Sequence, residues 1–182
     1  MTISVDEDLV VLVDSEDLAV GTAGKLEAHR RGLKHRAISA LVRNSSGEFL
    51  LQRRSPEKYH SGGLWTNACC SHPLPGESTS DAAHRRLRQE MGISCLLTPM
   101  FIVHYRAPVS GNLIENELVH VFGGTYDGAV VPDPAEVSEW KWVTFDKLEA
   151  DLCDRPDAYT VWFRRYIGEH HAPIAAWLKS AG

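Results

Sequence analysis

The chain has 182 residues, 43% of them hydrophobic, and its 19 basic and 24 acidic side chains leave a net charge of −5. That length and apolar content suit one globular domain, residues 1–182, with a full core. No long basic run offers the cationic footprint that a nucleic-acid backbone requires, and the apolar run at residues 10–13 is too short for a signal or membrane-spanning segment.

In chain order, the acidic opening (residues 1–8) carries no cationic region ahead of an apolar one. Residues 10–13 read as a buried strand, followed by a polar turn at 14–17. Residues 25–31 read as a short helix ended by Gly32. Residues 35–42 and 49–53 are strand-like runs around Asn44-Ser45-Ser46-Gly47, a hairpin signal. Residues 59–75 mix glycines, prolines and aromatics and predict a loop with one short strand near 65–69. Ser80 is a candidate N-cap for a helix running to Met91 and stopped by Gly92. In that helix Ala83, Leu87 and Met91 form a core stripe, with Arg86 and Glu90 together on an adjoining flank. Residues 100–106, 117–126 and 139–143 are further strands. Thr144 can cap a helix to about Cys153, Asp157 another to about His170, and Pro173 suits the first turn of a last helix. This order predicts an α/β fold, a mixed β-sheet between helices with a helical C-terminal tail. Cys69, Cys70, Cys95 and Cys153 lack zinc-knuckle spacing, and the adjacent pair is poorly placed for a disulfide, so reduced thiols and a cytoplasmic location are expected.

The most informative stretch runs from Cys70-Ser71-His72 through Glu77 to Arg85-Arg86-Leu87-Arg88-Gln89-Glu90-Met91-Gly92-Ile93. Glu77, Arg85, Glu90 and Gly92 stand at the spacing of the Nudix box, but Ser71 replaces its opening glycine, and Arg86 and Gln89 replace two of its carboxylates. A phosphate-cleaving Nudix helix needs several carboxylates to hold magnesium around a diphosphate, and here Glu90 is the single strong one. With Cys-x-His just upstream, the chain resembles type I isopentenyl-diphosphate delta-isomerases of the Nudix superfamily over roughly residues 9–150. The resemblance implies a Nudix-like sheet and the isomerisation of isopentenyl diphosphate to dimethylallyl diphosphate in isoprenoid precursor biosynthesis.

His29 and His35 flank a short turn, His72 follows Cys70, and Glu115 and Glu117 are two apart, so both can face one site from an extended strand. Three imidazoles and two carboxylates form a nitrogen and oxygen shell suited to manganese, magnesium or zinc. The resemblance implies that these five residues hold a divalent ion. His60, His84, His104, His120, His170 and His171 have no such support.

Moving a double bond by one carbon requires a proton delivered to one carbon and another removed from a neighbour, through a tertiary carbocation, and hence two complementary acid–base groups. The resemblance implies Cys70 and Glu117 for these, with Tyr105 beside them and Trp162 lining the cation's cavity. It implies Lys25, Arg54, Lys58 and Arg86 as the grip on the diphosphate. Glu90 and the Cys70 main-chain carbonyl would then hold a magnesium ion that bridges it. The partner expected is a small isoprenyl diphosphate, with the chain a monomer or weak homodimer. Two rival readings remain: a Nudix pyrophosphohydrolase of a nucleotide, which leaves Cys70-Ser71-His72 and Glu115-Asn116-Glu117 unexplained, and a catalytically dead binding module, which would not need the cysteine or the glutamates.

Overall fold

The computed structural model describes residues 9–180, so the acidic opening at 1–8 lies outside them. The elements follow as β1 (Leu9–Val13), β2 (Ala19–Gly24), α1 (Lys25–Arg31), β3 (His35–Arg43), β4 (Phe49–Arg54), β5 (Trp65–Asn67), β6 (Cys69–Ser71), α2 (Thr79–Met91), β7 (Leu97–Val109), β8 (Leu113–Thr125), β9 (Val137–Val143), α3 (Phe145–Asp154), α4 (Val161–Glu169) and α5 (His171–Lys179). β3 is the hub of a mixed sheet. It runs parallel to β8, from His35 opposite Glu117 to Arg43 opposite Thr125. Its other partners are antiparallel: β1 at His35, β6 at residues 38–40 and β4 at Arg43. β7 extends the sheet beyond β8, and β9 pairs with β4.

Alternation along β3 builds two cores. Ala37 and Leu41 pack with Val103, Val119 and Val121 under Phe163, Tyr166 and Ile174 of the C-terminal helices. Ile38, Ala40 and Val42 face the other way, onto Ala82, Ala83, Leu87 and Met91 of α2. Full burial of side chains such as Leu87 or Met91 stabilises by about 1.5–3 kcal/mol each. Helices therefore cover both faces, as the element order predicts, and among the described residues none is long and apolar enough to cross a membrane.

Four details differ from expectation. β2, an exposed glycine-containing edge strand, was not anticipated. α2 starts at Ser78, not Ser80: the Ser78 hydroxyl accepts from Asp81 N at 3.0 Å, and the hydroxyl that makes this bond is the cap. Asp157 sits in a separate 3-10 turn, with Thr160 preceding α4. The Asn44–Gly47 hairpin pairs only at Arg43–Phe49, because β4 then turns away to β5 and β9. Ser71 lies in extended β6 and is not among the non-glycine residues with positive φ, which are Asp17, Ser61 and Asn112. A serine at the box's glycine position therefore carries no backbone strain.

Candidate active site

Local turns bring distant histidines together at one end of β3. Gly32 ends α1 in a left-handed conformation (φ 61°). A Cβ there would stand 3.1 Å from Ile114, so glycine permits the tight return. That return sets His35 beside His29, their ring centroids 4.8 Å apart. Asn116 Nδ2 donates to the Gly32 carbonyl at 2.9 Å, pinning the turn. Alternation sends the flanking Glu115 and Glu117 to the opposite face of β8. His72, just after β6, completes the group, its Nε2 2.9 Å from Glu117 Oε1 and 3.2 Å from His35 Nε2.

The nitrogens of this cluster ask for a cation. His29 Nδ1 lies 2.7 Å from the Lys25 carbonyl and His35 Nδ1 2.8 Å from the Leu33 carbonyl. A carbonyl only accepts, so each Nδ1 carries the hydrogen and each Nε2 keeps its lone pair in the neutral ring. His35 Nε2 then faces Glu117 Oε1 at 3.3 Å, acceptor to acceptor. His29 Nε2 is buried with no hydrogen-bond partner, 3.6 Å from Glu115 Oε2. His29, His35, His72 and Glu117 can converge on one ion, and His29, His60 and Glu115 form an overlapping group. The donor set fits a divalent metal, with the outer nitrogens fixing ring orientation.

Charge is distributed accordingly. Burial would raise the Glu117 carboxyl, but His35 and His72 hold it well below its ordinary value. Burial and the Glu117 charge push Glu115 upward, yet the neighbouring His29 and His60 imidazoles outweigh them and keep it low. Burial drives His72 down to about 4, so it is neutral near pH 7. Tyr105 donates to Glu117 Oε2 at 2.9 Å and to Glu115 Oε2 at 3.3 Å, tying the two carboxylates together. Burial and the neighbouring carboxylates keep its phenol protonated.

Cys70 enters the cavity from β6 while Cys69 turns into the α2 core, as strand alternation requires. Asn67 Nδ2 donates to the Ala40 and Cys69 carbonyls, which fixes its Oδ1 as the acceptor facing the Cys70 thiol at 3.1 Å. Ser39 Oγ lies 3.1 Å from the same sulfur and 3.0 Å from the Tyr166 hydroxyl. Burial pushes the Cys70 thiol up to about 12, so it holds its proton at neutral pH.

Lys25, Arg54, Lys58 and Arg86 line the same cavity, together with Glu90 and Trp162. Burial lowers the pKa of Lys25, and the charges of Lys58, Arg86 and Arg54 lower it further, the signature of cations crowded around a space suited to an anion. The Nε atoms of Arg54 and Arg86 are buried without partners. An unmade bond of this kind costs about 1–3 kcal/mol, which anionic oxygens could recover. Arg86 also holds Glu90 at 2.8 Å, and Arg54 lies 5.3 Å over the Trp162 ring. Trp162 is anchored by Nε1 on Thr66 Oγ1 at 3.0 Å.

Every candidate from the sequence lines this cavity or, for His29 and His35, lies against its carboxylates. Three lining residues were not anticipated. His60 meets Glu115, Tyr59 lies under the Lys25 ammonium, and Glu136 bonds Lys58 and stands 3.5 Å from Arg86. His60 and Tyr59 sit in an irregular loop where no periodicity signals direction; Glu136 precedes β9 in a stretch that reads as an acidic surface turn.

The NUDIX domain family matches residues 33–163. The fold is similar to that of a Deinococcus radiodurans protein, DR0079 (TM-score 0.66, 21% identity, 81% of this chain and 90% of that one). It is also similar to a MutT protein from Methanosarcina mazei (TM-score 0.62, 25% identity, 76% and 93%). Sheet, box and match together define a Nudix protein. Among curated proteins, the chain is 52% identical over 161 residues to isopentenyl-diphosphate delta-isomerase 1 of Aromatoleum aromaticum, covering 88% of this chain and 91% of that one. It is 46% identical over 168 residues to isopentenyl-diphosphate delta-isomerase of Burkholderia multivorans, covering 92% and 96%. The chain belongs to the isopentenyl-diphosphate delta-isomerase family of Nudix proteins.

Proposed function

We infer that the protein isomerises isopentenyl diphosphate to dimethylallyl diphosphate. The observation that carries this reading is one cavity holding a protonated thiol, Cys70, and an ionised carboxylate, Glu117, beside a cluster of buried cations. Allylic isomerisation needs a proton added to the terminal methylene and another removed from C2, with no redox change. A thiol bearing its proton and a carboxylate free of one are the complementary pair, and their roles exchange in the reverse direction. Tyr105 holds Glu117 in place. Trp162 and the cavity wall exclude water from the tertiary cation, which an aromatic face stabilises by about 2 kcal/mol or more when desolvated.

Lys25, Arg54, Lys58 and Arg86 bind the diphosphate. His29, His35, His72, Glu115 and Glu117 hold a divalent ion, manganese, magnesium or zinc, which supplies positive charge that orients Glu117 and tunes its acidity. Glu90 and the Cys70 carbonyl hold the magnesium that accompanies the diphosphate. The hydrolase reading fares worse, because Arg86 and Gln89 occupy positions where that chemistry places carboxylates. The four free cysteines fit a reducing cytoplasm, and we propose a monomer or weak homodimer with no nucleic-acid or membrane partner. The test is incubation with isopentenyl diphosphate and magnesium: dimethylallyl diphosphate should form with no phosphate released. Phosphate release from nucleoside diphosphate compounds, without isomerisation, would establish the hydrolase instead.

A further inference from the structure

The histidines around the carboxylates are wired in two opposite ways. His29 and His35 give Nδ1–H to main-chain carbonyls and point lone pairs inward. His60 is reversed: its Nε2 lies 3.0 Å from Glu115 Oε1, and a carboxylate oxygen can only accept, so that nitrogen carries the hydrogen. Its Nδ1, 3.2 Å from Ser61 Oγ, is left to accept from that hydroxyl. His60 also stands outside the group of His29, His35, His72 and Glu117 whose ligand atoms converge, and groups only with His29 and Glu115.

We infer that His60 is a positioning residue for the divalent ion rather than one of its ligands: it holds Glu115 Oε1, leaving Oε2 to meet the ion. Oε2 is the oxygen that faces His29 Nε2 at 3.6 Å and receives the Tyr105 hydroxyl at 3.3 Å. Glu115 therefore binds through one oxygen, leaving room in the shell for the histidines and Glu117. This inference rests on the metal reading above.

The loop is built to aim this ring. His60 is 4% exposed, packed edge-on against Tyr59 with centroids 4.4 Å apart and against Trp162 at 6.0 Å. Ser61 adopts a left-handed backbone (φ 52°), an unfavourable conformation for a serine, and its N–H is tied to Ser110 Oγ at 3.0 Å. The His60 main-chain carbonyl accepts from Arg54 Nη2 at 3.2 Å. Replacing the side chain keeps that carbonyl, so the grip on the metal's carboxylate and the grip on the diphosphate can be separated.

The experiment compares the full chain with His60→Phe, which keeps a flat ring without the N–H, and His60→Gln, whose amide N–H can reach Glu115. Manganese affinity is measured by competition with a chelator, and coordinated imidazole nitrogens are counted by pulsed EPR of the manganese-loaded proteins. Losing an outer-shell partner costs about 10–100-fold in metal affinity, and that is the drop expected for His60→Phe, with His60→Gln recovering most of it. All three proteins should show three coordinated imidazoles. KM for isopentenyl diphosphate should stay within about twofold while kcat falls, following the retained carbonyl–Arg54 bond. Unchanged affinity in His60→Phe would overturn the inference, as would a fourth imidazole present in the unsubstituted protein and lost in both variants. Failure of the unsubstituted protein to bind manganese would instead sink the metal reading itself.

Discussion

Cys69 and Cys70 are neighbours with opposite fates, and substituting each by alanine should separate stability from activity. Cys69 is fully buried in the α2 core. Cys69→Ala removes a sulfur about the size of a methylene, a loss of about 0.8 kcal/mol in transfer free energy. The residual cavity adds a further term, for about 1–2 kcal/mol in all. For a chain of this length that lowers Tm by about 2–8 °C, with kcat inside a factor of about two. Cys70→Ala removes a group that exchanges the proton with the alkene and leaves Ser39 and Asn67 Oδ1 to bond each other or water. Loss of an acid–base partner costs about 10²–10⁴-fold in rate, or about 3–5 kcal/mol of barrier, with Tm nearly unchanged. The assay is conversion of isopentenyl diphosphate beside differential scanning calorimetry. Equal loss of activity in both variants, or a Cys70→Ala protein that keeps more than about a tenth of kcat, would refute the division of roles.

The two ion sites should also separate: His72→Asn or Glu115→Gln should lower tightly bound metal after exhaustive dialysis, read by elemental analysis. Glu90→Gln should leave that content alone and raise the magnesium concentration needed for turnover; unchanged metal content in the first two would mean the cluster is only a polar patch. Glu77 is bonded by Arg85 Nε and Nη2, both at 2.7 Å, and by Leu74 N at 2.8 Å, which holds its carboxyl below the ordinary value. A folded-state pKa below the unfolded one gives stability that is present above about pH 4.3 and lost as pH falls through the folded value. Glu77→Gln should therefore cost about 0.5–1.5 kcal/mol at pH 7, and its gap in Tm from the native chain should shrink below about pH 4. A gap constant from pH 7 to pH 3 would contradict an ionic role for this pair.

What was legible in the sequence follows from periodicity and spacing. Period two in β8 put Glu115 and Glu117 on one face, the Cys-x-His of the family resemblance picked Cys70 over Cys69, and period 3.6 in α2 put Leu87 in the core and Arg86 beside Glu90. Cap residues with a required backbone conformation, Gly32 and Gly92, fixed two helix ends. The tertiary partner of Asn116 was invisible, since nothing local connects it to the Gly32 carbonyl. His60 was invisible for a similar reason. Its direction is set by a left-handed Ser61 and a bond to Ser110, 49 positions along the chain. The short β5 and β6 strands and the early turn of β4 away from β3 are likewise set by sheet neighbours that no local pattern specifies.

The central claim is that protein-held protons enter and leave the alkene at this cavity, and heavy water reads it directly. Isopentenyl diphosphate incubated with the protein and magnesium in heavy water should give dimethylallyl diphosphate with deuterium in its methyl group, seen by NMR, while the diphosphate stays intact. Dimethylallyl diphosphate that forms without any deuterium, or released phosphate with no isomerised product, would contradict the account.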